Sequence, residues 1–421
     1  MIKKTFEKVN EDVYYDKLSN GIEVFLYPTK KTKNFYITIS VKYGARVTKY
    51  KTDSETINVI PGSAHFLEHK VMALSENKEV SKRINELGSL ANAWTNYYGT
   101  NYNIFGSINI IENLILLLDI FYNTNINEKC VNEEKGIIGE EIDMYKDQIN
   151  NYMYEQLFKN MFHDTYIKNT VVGERSDIEK ITAKHLNKVY SDFYTSNNTF
   201  IIVSGNFDEN EVMNEINTYM DKLKLKPKRI PKVLKEKEID DVRISYEEIK
   251  KDMEDVRVKY GIKMNKKLFD IKNDTLLRYY ISIILSNNFS PTSKLYEEYK
   301  NNNIIINMNS SVNIIGDYVV VAISAIVDNC EKFIERISKD IRKLELSKEG
   351  FERKKKMFLK SYILDFDNIE DVEYNICESL IMEGKVNYNE YSDILNMNNE
   401  TAKKILDSFI FDYVSIIKTT K

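Results

Sequence analysis

Only four histidines occur in the 421 residues of this chain, and two of them fall within Pro61-Gly-Ser-Ala-His65-Phe-Leu-Glu68-His69. On an α-helix, positions i, i+3 and i+4 share one face, so this spacing sets His65, Glu68 and His69 side by side. Two imidazoles one turn apart can hold a single zinc ion, and a carboxylate between them can reach a water on that ion, a set suited to hydrolysis. A catalytic zinc site takes three protein ligands, so one further donor is required. The segment Asn132-Glu-Glu-Lys-Gly-Ile-Ile-Gly-Glu-Glu-Ile-Asp-Met-Tyr145 offers carboxylates in helical register. Glu134 and Glu141 lie seven residues apart and stack on one face; Glu133 and Glu140 do the same one residue's rotation away, and spacing does not choose between them. His163 and His185 stand alone, which is more often a structural than a ligating situation. No histidine follows His185, so one metal per chain is the expectation.

These side chains need a scaffold, and the composition provides for one. Hydrophobic residues make up 43% and charged residues 29%, with 5 Pro and 14 Gly, which excludes a disordered or collagen-like chain and leaves ample material for a core. Sixty Lys and Arg against 64 Asp and Glu give a net charge of -4, so no global pull toward nucleic acid or anionic membrane exists. The N-terminal lysines are followed by more charge where a secretion signal would be apolar, and Leu114 to Tyr122 is interrupted by Asp119 and far too short to span a bilayer. Cys130, Cys330 and Cys377 are odd in number and widely spaced, as in a reducing compartment. A cytoplasmic protein is expected.

Residues 22–27 and 35–41 read as two strands joined by a lysine-rich turn, an antiparallel hairpin with one wet face. Helical stretches near 63–75 and 78–87 follow, then strand-like segments at 89–95 and 101–109. Helices are predicted over 109–122 and 131–145, a strand over 198–204, and a helix opened by Asp208-Glu-Asn-Glu211 with Val212, Ile216 and Tyr219 on one face. The basic stretch ending at Lys237 holds two prolines and reads as a solvated linker. Beyond it the order repeats: strand 256–264, helix 276–285, strand 318–327, and a helix with Phe333, Ile337, Ile341 and Leu344 on one face. The expected architecture is α+β, with two similar domains, each a mostly antiparallel sheet with helices on one face: residues 1–222, a linker at 223–238, and residues 239–421.

The residues around the histidines resemble a known family, the inverted zinc peptidases of the pitrilysin, insulinase and mitochondrial processing peptidase type. The inverted His-x-x-Glu-His motif is joined by Gly88-Ser-Leu-Ala-Asn-Ala-Trp-Thr95, similar to that family's Gly-x-x-x-Asn-Ala-x-Thr strand, and by Glu134 to Tyr145, similar to its acidic helix. Gly173-Glu-Arg-Ser-Asp-Ile-Glu-Lys-Ile-Thr182, Phe193-Tyr-Thr-Ser-Asn-Asn198 and Val203-Ser-Gly-Asn206 extend the match, which is strongest to bacterial half-length members. The resemblance implies that His65, His69 and Glu141 bind one Zn2+ per chain, that Glu68 is the general base, that Glu134 is a supporting acid, and that Leu90, Ala91, Asn92 and Ala93 form an edge onto which a peptide substrate zips as an added strand within a closed chamber. It implies a metalloendopeptidase acting on peptides or unfolded segments. Two alternatives are a dedicated leader-peptide or maturation protease for a ribosomally made modified peptide, and a catalytically weak binding subunit of a heterodimeric peptidase.

One departure stands out. Many members carry in the second domain a run like Ser-Arg-Leu-x-x-x-x-Arg-x-x-x-Gly-Leu-x-Tyr, whose later Arg and Tyr serve the active site. Here the run is Ser293-Lys-Leu-Tyr-Glu-Glu-Tyr-Lys300-Asn-Asn-Asn-Ile-Ile-Ile-Asn307, so Lys300 stands for the arginine and Asn307 for the tyrosine. Lysine lacks the forked donor geometry, and asparagine does not replace a phenol aimed at an oxyanion. Tyr299 or another of the 29 tyrosines is the available substitute. The resemblance therefore points to a homologous partner chain, a heterodimer or otherwise a homodimer, that supplies the missing pair.

Overall fold

The computed structural model describes residues 1–72 and 78–420. The strands are β1 (Ile2–Phe6), β2 (Glu11–Lys17), β3 (Glu23–Pro28), β4 (Phe35–Val41), β5 (Lys49–Lys51), β6 (Thr56–Asn58), β7 (Leu90–Thr95), β8 (Thr100–Gly106), β9 (Thr199–Gly205), β10 (Lys232–Val233), β11 (Tyr246–Lys250), β12 (Val256–Asn265), β13 (Ile305–Ile315), β14 (Tyr318–Val327) and β15 (Val414–Thr420). The helices are α1 (Ser63–Met72), α2 (Lys78–Glu86), α3 (Ile110–Tyr122), α4 (Glu128–Asp147), α5 (Ile149–Met161), α6 (Arg175–Ile178), α7 (Ala183–Phe193), α8 (Glu209–Leu223), α9 (Asp274–Phe289), α10 (Lys294–Asn301), α11 (Cys330–Asp340), α12 (Lys348–Asp365), α13 (Ile369–Met382), α14 (Glu390–Leu395) and α15 (Asn399–Asp407). Residues 73–75 of the helix read over 63–75 lie outside the described residues. No described helix is long and apolar enough to cross a membrane.

Two compact units result, and both draw on both halves of the sequence. Unit 1 comprises 1–144, 169–235 and 363–389; unit 2 comprises 145–168, 236–362 and 390–421. Unit 1 holds a seven-stranded sheet in the order β1-β2-β3-β9-β4-β8-β7 and a small sheet β10-β5-β6; unit 2 holds a sheet in the order β11-β15-β12-β14-β13. The run β3-β9-β4-β8-β7 and the whole of the second sheet share one topology: a parallel first pair (β3 with β9, β11 with β15) and antiparallel pairs thereafter. The α+β class and the similarity of the two halves, read from element order, hold in this form.

Three expectations change. Strands β3 and β4 do not form a hairpin: β9, whose Thr-Phe-Ile-Ile-Val-Ser-Gly is buried throughout, inserts between them, parallel to β3 and antiparallel to β4. A central strand of this kind leaves no wet face on its neighbours, and β4 is buried at six of its seven positions. The stretch read as a solvated linker is structured at its end, because Lys232 and Val233 pair with Lys51 and Tyr50, and Glu238 is taken up in unit 2. Helices also cover both sheet faces. In unit 1, Ile39 and Tyr102 face α3, where Tyr102 meets Phe121 edge-on, while Thr38, Ser40 and Asn101 face α13. In unit 2, Val258, Tyr260, Ile262 and Met264 enter the core with α9 and α11, and Gly261 faces α5, where an added Cβ would lie 2.9 Å from Leu157 and Met161. Helix α13 lies after the linker and α5 before it, so a boundary at 223–238 does not separate the compact units.

The α13 face of unit 1 buries a carboxyl group. Thr38 Oγ1 donates to Glu373 Oε1, and beside it Cys377 Sγ donates to Asn101 Oδ1 at 2.8 Å. Glu373 is 2% exposed, and desolvation raises its pKa well above the ordinary 4.5. The folded chain then holds a proton that the unfolded chain releases, so the contribution of this one group to stability is greatest below pH 4.5 and falls as pH rises, by up to about 1.4 kcal/mol per pH unit. Glu373→Gln, which is neutral at every pH, should flatten that slope and stabilise the chain at pH 7, on the order of 1–3 kcal/mol, with little change at pH 4. Denaturant unfolding at both pH values measures this; a variant equally or less stable at pH 7 would show that Glu373 is ionised in the fold.

Candidate metal centre

The histidine helix is set by its entry. Gly62 adopts φ +86°, and a Cβ there would come within 2.8 Å of the Val172 carbonyl, so the turn requires glycine. Ser63 Oγ donates to the Ile60 carbonyl at 2.6 Å, and His185 Nε2 accepts the Ile60 N–H at 3.4 Å and lies 3.1 Å from Ser63 Oγ. Burial lowers the His185 pKa, which keeps the ring neutral and able to accept. Beyond this entry α1 packs against β7, β8, α3 and α7, burying Ala64, Phe66, Leu67, Val71 and Met72. His65 and Glu68 are thereby 6% and 8% exposed.

Helix α4 meets this face with Val131, Glu134, Ile138 and Ile142 buried at helical spacing, Glu141 half-buried, and Glu133 and Glu140 exposed. The apolar residues of α4 thus turn Glu134 and Glu141 toward α1 and leave Glu133 and Glu140 outside. Glu134 Oε1 lies 2.9 Å from His69 Nδ1, and its Oε2 lies 2.7 Å from the ammonium of Lys70, which also donates to the Cys130 carbonyl at 3.2 Å. Glu141 spans the two rings: Oε1 is 3.5 Å from His65 Nε2 and Oε2 is 3.3 Å from His69 Nε2. Glu68 Oε2 accepts from Thr95 Oγ1 on β7 at 2.6 Å.

These spacings fit a metal. Two ligands each 2.0–2.1 Å from a tetrahedral zinc ion stand about 3.4 Å apart, which the separations of Glu141 from the two imidazoles reproduce. His65, Glu68 and His69 also form a donor group within 4.8 Å of one another. Of the two carboxylates, Glu68 is tied to Thr95 while Glu141 faces both Nε2 atoms, so the donor set that fits is His65, His69 and Glu141. The outer partner of His69 fixes which nitrogen it presents, an arrangement common around ligating histidines. The same contacts set the charges. Burial works against a charged His69, but Glu134 and Glu141 outweigh it and raise its pKa to about 9. Burial likewise opposes ionisation of Glu141, and the hydrogen bonds from His65 and His69 overcome it and hold the carboxyl far below the usual range.

Residues 26–175 match the model of the insulinase family, peptidase family M16, and residues 180–358 match that of the M16 inactive domain. The chain belongs to peptidase family M16. It is 28% identical over 299 residues to the uncharacterized zinc protease YmfH of Bacillus subtilis, covering 69% of this chain and 68% of that protein. It is 25% identical over 215 residues to a probable mitochondrial-processing peptidase subunit beta of Arabidopsis thaliana, half of this chain and 39% of that one. An M16-like peptidase from Alicyclobacillus acidocaldarius superposes with a TM-score of 0.87 at 21% identity over 99% of both chains, and a protease from Helicobacter pylori with 0.81 at 19% identity over 98% of this chain and all of that one. These superpositions establish the M16 fold across the chain.

Within this M16 chain, β7 is an outer strand of the large sheet and pairs with β8 alone among the described residues. Leu90 is 69% exposed, Asn92 is exposed, and Ala91 and Ala93 are half-buried. Tyr299 is not an available phenol: it is fully buried in unit 2 and donates to Asp340 Oδ2 at 2.9 Å. Lys300 donates to the Ile306 carbonyl at 2.6 Å, and Asn307 is exposed. Sequence reasoning gave no role to Thr95, Lys70 or His185. Thr95 ends the Gly88–Thr95 strand motif and Lys70 directly follows His69, but only the fold reveals that both touch the carboxylates.

Proposed function

We propose that the chain is a zinc endopeptidase that hydrolyses peptides or unfolded segments held in extended form along β7. The observation that carries this reading is the convergence of His65, His69 and Glu141 at metal-ligand spacing, with Glu68 beside them. Those three residues would hold one zinc ion, whose chemistry there would be to polarise a scissile carbonyl and to acidify a water. Glu68, steadied by Thr95, takes the proton of the attacking water and returns it to the departing amine. Glu134 holds His69 Nδ1, keeping the ring oriented. Leu90, Ala91, Asn92 and Ala93 offer a strand edge, on which main-chain pairing gives affinity with little sequence choice. Three free cysteines favour the cytoplasm.

Unit 2 favours a division of labour. With Tyr299 buried, Lys300 engaged and no tyrosine at 307, the chain offers neither an arginine nor a tyrosine at the positions where the family resemblance places its oxyanion donors. In this reading a homologous partner supplies them and completes a closed chamber. Defined peptide mixtures, assayed by mass spectrometry, should be cleaved slowly by the chain alone and about 10²–10³ times faster with such a partner. Chelation should abolish cleavage and added zinc restore it. Fast turnover by the isolated chain would refute the partner, and no metal-dependent cleavage in any combination would refute the peptidase.

A further inference from the structure

Strand β12 of unit 2 turns three cations, Arg257, Lys259 and Lys263, toward the face that carries α5. They are treated differently. Lys263 is fully compensated: its ammonium donates to Glu238 Oε1 at 2.7 Å and to the carbonyls of Ile239, Asp241 and Met161 at 2.8–3.0 Å. Lys259 is 7% exposed and its bonding partners are neutral, with Ser324 Oγ at 3.0 Å and the Tyr154 ring centroid at 5.2 Å. Arg257 donates through Nη1 to Asn150 Oδ1 at 2.6 Å, and its Nε is buried without a partner. Among the described residues no carboxylate is bonded to either side chain.

Two cations two residues apart on one strand face, Lys259 buried and Arg257 half-buried with its Nε enclosed, and both lacking a counter-charge, are costly to keep unless something completes them. Desolvation, with Arg257 adding to it, lowers the Lys259 pKa to about 8, as expected of an ammonium without an anion. Access exists alongside: Lys259, Ser324 and Asn309 form one row across β12, β14 and β13, in which Ser324 is half-buried and Asn309 exposed. A guanidinium N–H without an acceptor, an ammonium and a serine hydroxyl match the two oxygens of a carboxylate.

We propose that Arg257 and Lys259 form a carboxylate-binding site in unit 2 that anchors a peptide by its C-terminal carboxylate or by an acidic side chain. The site deepens the peptidase reading and rests on it for the class of ligand.

The test uses full-length Glu68→Gln protein, so that peptides are not consumed, and three dye-labelled decapeptides of Gly, Ala and Ser: a free acid, its C-terminal amide, and the amide with one Glu added. At least one carboxylate-bearing peptide should bind about tenfold or more tightly than the plain amide, and which one does so identifies the source of the carboxylate. Lys259→Met should erase that preference without weakening the plain amide, and Arg257→Gln should reduce it; the second variant serves if the first fails to fold. Equal binding of all three peptides, no binding of any, a preference that survives Lys259→Met, or competition by inorganic phosphate without preference among peptides overturns the site. Cleavage by the wild-type chain is scored separately. A chain that cleaves but shows no preference loses this site and keeps the peptidase; one with the preference and no cleavage does the reverse.

Discussion

Glu68→Gln should retain its zinc and lose peptide cleavage by about 10²–10⁴, the range over which a positioned acid–base group contributes. The amide is nearly isosteric with the carboxylate and can still bond Thr95 Oγ1, so α1, 8% exposed at this position, has no reason to repack. What disappears is the capacity to accept a proton, since an amide oxygen is a far weaker base than a carboxylate. Metal analysis and a peptide assay on the same preparation decide the matter. Full turnover in a folded, zinc-loaded variant would remove Glu68 from the chemistry, and loss of zinc along with activity would make it a ligand instead.

A series along α4 should separate four of its five glutamates, Glu133, Glu134, Glu140 and Glu141, by metal content. Glu141→Gln removes the group that faces both imidazoles and should weaken zinc binding by more than 100-fold, beyond the about 10–100-fold that accompanies loss of an outer partner. Glu134→Gln should fall within that outer-partner range, because it leaves the three donors in place and disturbs only the bond at His69 Nδ1 and the charge balance with Lys70. Glu133→Gln and Glu140→Gln, on the exposed side of the helix, should bind as the wild type does. Titration against a competing chelator measures all four. A larger loss from Glu140→Gln than from Glu141→Gln would invert the helix face assigned here.

Local chemistry was readable in the sequence and long-range pairing was not. His65, Glu68 and His69 belong to one helix, so their adjacency follows from the helical period alone. Choosing Glu141 over Glu140 needed either a family likeness or the burial of Val131, Ile138 and Ile142, because both carboxylate pairs have the same spacing. The helix opened by Asp208 was legible for the same local reason, and Asp208 does accept from the amides of Asn210 and Glu211. The expected hairpin of residues 22–41 failed because its separating strand lies about 160 residues downstream, and nothing in the alternation of β3 or β4 encodes a neighbour so distant. Arg257 and Lys259 gave no signal either, since lysine and arginine on a strand read as solvent-facing until a helix from another part of the chain is laid over them.

The exchange of α5 and α13 between the halves has a consequence for synthesis. A growing chain finishes the histidine-bearing sheet at Gly205 and presents His65, His69 and Glu141 soon after. Yet the helix that roofs the Thr38, Ser40 and Asn101 face of that sheet is not translated until residues 369–382, and at 5–20 residues per second that is a wait of roughly ten to thirty seconds. Until then the first half exposes the pocket meant for Glu373 and Cys377, while carrying α5 as a helix with no sheet to lie on. Folding therefore cannot run to completion domain by domain from the N-terminus. The unit that begins first is among the last to close, and a ribosome that stalls in the second half leaves the first sheet without the helix that covers its Thr38, Ser40 and Asn101 face.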